Sequence, residues 1–112
     1  MDIPQLIEEM QIAASDVLNK DVTSLRGFSQ RQLKAIAQQA EIVATGIATG
    51  GITEETREFF LDGLEDMVLS FVNTLRGLLT ITIEKVWNAV VGVLWKAISA
   101  VTNIALPEPI MD

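Results

Sequence analysis

The chain has 112 residues, 49% of them hydrophobic, and a formal net charge of -7 from 15 acidic and 8 basic side chains. That length suits a single domain, the apolar content excludes disorder, and the acidic balance argues against nucleic acid or an anionic membrane surface as partner. Cysteine, histidine and tyrosine are absent, which removes disulfides, thiolate metal sites and His-activated nucleophiles. The chain therefore reads as a non-enzymatic protein with no cofactor, metal or small-molecule substrate.

The start, Met1-Asp2-Ile3-Pro4, is acidic and lacks the basic stretch of a signal peptide. Asp2 as cap and Pro4 in the first turn predict a helix over about residues 4–19. Its apolar stripe is Leu6, Ile7, Met10, Ala14, Val17 and Leu18, with Glu8, Glu9, Ser15 and Asp16 opposite. Residues 19–27 read as a connection, and Ser29 with Gln32 as a capping box opening a second helix over about 29–49. Leu33, Ile36, Ala40, Val43 and Ile47 recur there in steps of three and four, a seam partly of alanine that admits a close neighbour. Gly50-Gly51 marks a tight turn, and Thr53 caps a third helix with Glu54 and Glu55 at its positive end, so an antiparallel hairpin is expected.

No proline follows Thr53 until Pro107. One helix over about 53–106 is therefore expected, roughly 75 Å long, with a possible break near 76–78 as the alternative. Its seam runs Leu61, Leu64, Val68, Phe71, Leu75, Leu79, Ile83, Val86, Val90, Val93, Ala97, Ala100 and Ile104. The stretch Leu78 to Ile83 is locally strand-like in its β-branched content, but the seams on either side run straight into it, which favours helix. The tail, residues 107–112, holds two prolines and is expected to run free.

The third helix ends in an unusually apolar segment, where Trp87, Val91, Leu94, Ile98, Val101 and Ala105 form a second stripe beside the seam. What remains is a narrow polar or small strip of Lys85, Asn88, Gly92, Lys96, Ser99 and Asn103. A helix apolar almost all round needs cover, and a lone chain of this size is not expected to supply it on every side. The surface expected to meet other copies or lipid is Leu79, Ile83, Val86, Trp87, Val90, Val91, Val93, Leu94, Ile98 and Val101, with Lys85, Asn88, Lys96 and Asn103 as its polar strip. Residues 86–106 would reach about 31 Å against a hydrocarbon core of about 30 Å. Lys96 near the middle costs about 3 kcal/mol there, and the two tryptophans lie only about 12 Å apart along the axis, not at two interfaces.

Glu58, Asp62, Glu65 and Asp66 share a face of the third helix. Without a Glu-x-x-His step they read as a solvated face, softened by Arg57, rather than a cation site. Lys96 reads as snorkelling along its strip to water or to a carboxylate of a neighbouring subunit. Phe60, Leu64, Met67 and Phe71 suit hairpin packing, or a groove for a partner helix.

The run Leu79-Thr-Ile-Thr-Ile-Glu-Lys-Val-Trp-Asn-Ala-Val-Val-Gly-Val-Leu-Trp-Lys-Ala-Ile98 resembles the C-terminal stretch of short, all-helical proteins encoded by phages and prophages. The resemblance covers under a fifth of the chain and implies a virion or lysis-associated part, with no site residues carried over. The fold class expected is all-α, a short N-terminal helix and a helical hairpin with a long apolar C-terminal helix. The function expected is a structural subunit that self-assembles through that helix and meets other subunits of a multi-copy particle. The alternatives are a membrane-active, holin-like pore former and a helical adaptor or chaperone.

Overall fold

In a computed structural model covering residues 1–112, four helices account for most of the chain: α1 (Ile3–Leu18), α2 (Arg31–Thr49), α3 (Glu54–Leu78) and α4 (Ile83–Thr102), with a 3-10 turn at Val22–Ser24 and no strand. The all-α class follows directly. The α1 cap is as expected, since Asp2 Oδ1 accepts the Gln5 amide at 3.1 Å. At α3 the Thr53 amide donates to Thr56 Oγ1 at 3.0 Å, a reciprocal cap over the acidic first turn. The Ser29–Gln32 capping box does not form. Ser29 Oγ accepts the Arg31 amide at 3.2 Å instead, and Gln30 precedes α2 without a side-chain cap.

The main correction concerns the C-terminal half. The expected helix over 53–106 is two helices, and the chain leaves the helix beyond Leu78, slightly later than the alternative break near 76–78. Leu79 (φ -158, ψ 144) and Thr82 (φ -92, ψ 105) are extended. Thr80, Ile81 and Thr82 lose side-chain freedom in a helix and tolerate the extended backbone well. This strand-like stretch therefore serves as a turn, although the seams flanking it keep helical spacing.

That turn sends α4 back along α3, and the four helices run alternately up and down. Trp87 Nε1 donates to the Glu65 carbonyl at 3.2 Å, which fixes the register of the α3–α4 pair. α4 packs on α1, α2 and α3 at once, whereas α1 and α3 do not touch. The alanine side of α2 explains how a fourth helix fits. Ala37, Ala40 and Ala44 are all fully buried, and small side chains on that face let neighbouring helices approach the α2 backbone. Trp87 and Trp95 are 4% and 2% exposed, and the 26 buried residues are all hydrophobic. The expectation that a lone chain cannot shelter this segment is overturned, because α4 is itself the centre of the core.

Gly46 sits where α2 closes on the following turn. The Ile52 amide donates to the Gly46 carbonyl at 2.8 Å, and a Cβ on Gly46 would lie 2.7 Å from the Ile52 side chain. On α3, by contrast, a Cβ at Gly63 would meet nothing within 4 Å. Urea unfolding should therefore separate the two glycines. Gly46→Ala should lose about 1–3 kcal/mol through overpacking, and Gly63→Ala should gain about 0.5–1 kcal/mol through helix propensity.

Candidate functional site

The polar strip of α4 is a track for the chain's own C-terminus. Beyond Asn103, which ends α4 in the left-handed region (φ 57), the tail turns back along the helix. Ser99 Oγ accepts the Leu106 amide at 3.3 Å, and the Glu108 carboxylate lies 3.5 Å from where a Cβ on Gly92 would be. Farther along, Asn88 grips the backbone of Met111 with both ends of its amide. Its Nδ2 donates to the Met111 carbonyl at 3.0 Å, and its Oδ1 accepts the Met111 amide at 2.8 Å. The expectation of a free tail is corrected by these contacts, since side chains spaced along one helix face satisfy an extended backbone that has no sheet to join.

The residues expected to face other copies or lipid divide accordingly. Val86, Trp87, Val90, Val91, Leu94 and Ile98 are buried within the chain, Leu79, Ile83 and Val93 are half-buried, and Val101 is exposed. Of the strip, Asn88 is half-buried under the tail, while Lys85, Lys96 and Asn103 are exposed.

The tail also closes one side of a cleft of about 390 Å³ against the start of α3. Its apolar floor includes Trp95, Leu61 and Leu106, and Glu54, Glu58, Glu65 and Glu108 contribute its acidic wall. Arg57 lines the same cleft with its Nε buried and without a hydrogen-bond partner. Burial pushes the Glu65 carboxyl above its ordinary range, and the charges of Asp62, Glu58 and Asp66, with a hydrogen bond to Asp62, add to the effect. Here carboxylates repel one another faster than one guanidinium can offset, and no three acidic side chains converge on a metal position. The cleft was not foreseen from the sequence. Its α3 wall was visible as an acidic face, but Trp95, Leu106 and Glu108 reach it only because α4 and the tail fold back.

No protein-family model matches the chain, nor does any curated protein or solved structure.

Two outcomes follow. Asn88→Ala should free the last residues, so that Met111 amide exchange accelerates while overall stability falls by about 1–2 kcal/mol. For Glu65, the folded state binds a proton more tightly than the unfolded state, so stability falls as pH rises from the ordinary glutamate range through the raised value. Glu65→Gln should therefore raise the melting temperature at pH 7, and that gain should vanish below about pH 4, where the carboxyl is protonated in both states.

Proposed function

We propose that the protein is a non-enzymatic structural subunit that works by binding copies of itself within a larger assembly. The observation that carries this reading is the separation of core from surface. Every large side chain needed for folding is enclosed, and the outer face keeps distinct charged regions together with exposed apolar residues such as Ile42 and Phe59. Contacts between copies would be made by that outer face rather than by the α4 seam, most of which the chain covers itself. The reading favours assembly over a pore, since α4 would have to leave the core to meet lipid, and no helix is long and apolar enough to cross a membrane. A phage or prophage particle is the setting proposed, on the resemblance of residues 79–98 alone.

Sedimentation of the purified chain, with and without detergent, tests this. The expected result is a mass above that of one chain at high protein concentration, unchanged by detergent, with no leakage from loaded liposomes. A single-chain mass at every concentration would overturn the reading, and detergent-dependent solubility with liposome leakage would replace it with the pore.

A further inference from the structure

The charges of the molecule are sorted along its length. Gly27 lies against Leu78, where a Cβ would be 3.3 Å from the leucine side chain, and Phe28 meets Phe71 edge to face at 6.5 Å. The α1–α2 connection therefore sits beside the end of α3. That end of the bundle gathers Lys20, Arg26, Arg31, Lys34 and Arg76, five of the eight basic residues in the chain, against Asp16 and Asp21. All five bases are exposed.

The other half is the reverse. The first half of α3 carries Glu54, Glu55, Glu58, Asp62, Glu65 and Asp66, and Asp2 and Glu108 are brought to the same half, against Arg57 and Lys96. The 19 residues of α2, about 28 Å of helix, lie between the α1–α2 connection and the turn before Glu54, and the longest dimension of the molecule is 41 Å.

The basic end is not explained by the needs of the fold. Arg31 and Lys34 stand in the first turn of α2, at the positive pole of its dipole, with no acidic residue in that turn. Asp21 caps its own turn, its Oδ1 accepting both the hydroxyl and the amide of Thr23, which holds its carboxyl below the ordinary aspartate range. The acidic half likewise keeps its mutual repulsion, felt at Glu65. Each region is the complement that the other lacks. Each also carries an exposed apolar residue, with Phe59 at 77% in the acidic half and Leu78 at 38% at the basic end.

We propose that copies of this chain join head to tail, the acidic first half of α3 in one copy seated on the α1–α2 connection and α2 start of the next. The proposal rests on the assembly reading above and names its interface. Such a contact is heterologous, so it propagates into chains or closes into rings. The net charge of -7 does not forbid it. The Debye length is about 8 Å in physiological salt, so each end responds to the surface it meets rather than to the distant remainder. Exposed pairs are individually weak, so the contact depends on several charges acting together with the apolar anchor.

The test uses two full-length triple variants whose altered residues are all exposed, with helicity checked by circular dichroism. Glu54→Gln/Glu55→Gln/Glu58→Gln removes the acidic surface, and Arg26→Gln/Arg31→Gln/Lys34→Gln the basic one. At about 0.01 M salt, where the Debye length is about 30 Å, the unaltered chain should self-associate, and association should weaken more than about tenfold by about 1 M, where it is about 3 Å. Each variant alone should sediment as a single chain. Mixed, they should form a capped pair of one copy each, because each retains the end that the other lost. If either variant assembles as the unaltered chain does, this interface is wrong and the subunit reading stands. If the unaltered chain stays single at low salt and high concentration, both fall.

Discussion

The whole structure depends on α4 lying inside its own chain. A helix with apolar side chains around most of its circumference is stable in water only when neighbours enclose it. Here α1, α2 and α3 do so, and α4 in return packs on all three. Only α2 besides it packs on both α1 and α3. The short extended link of residues 79–82 is what permits this, since it reverses the chain before the apolar stripe begins. The fully buried alanines of α2 make the room.

Even the imperfection of α4 is used. Its polar strip would be a liability against another helix, where Asn88 and Ser99 would be buried without partners. Against an extended backbone the same groups become ligands, and the tail supplies amides and a carbonyl at the spacing they need. Folding the tail back then brings Glu108 and Leu106 to the start of α3, and an acidic helix face becomes the wall of a cleft. Local side-chain chemistry on one helix thus shapes a surface feature on another.

Because the core contains no polar side chain, most of the charge lies at the surface, where folding places few constraints on it, Arg57 and Glu65 being half-buried. Its sorting into an acidic half and a basic end is therefore the most specific property of the surface. α3 has an ordinary reason for acids in its first turn, the helix dipole. α2 has the opposite arrangement and no such reason, and it is this asymmetry that directs attention to contacts between molecules.

The local features were legible in the sequence for local reasons. Asp2 and Thr53 cap helices through bonds spanning three residues, Gly50 supplies a positive φ at the end of α2, and the three-and-four spacing of Leu33, Ile36, Ala40, Val43 and Ile47 names the face that is buried. Of the candidate surface, Val86, Trp87, Val90, Val91, Leu94 and Ile98 are buried, on the helical spacing that marks an apolar face, whereas Val101 is exposed. What covers the buried ones was not legible, because periodicity does not distinguish a buried neighbour in the same chain from one in another molecule. The break at residues 79–82 was obscured by seams that keep helical spacing on both sides. Only the tertiary structure decided that α4 turns back, that its strip binds the tail and that the charges separate by end, since each depends on contacts between residues far apart in sequence.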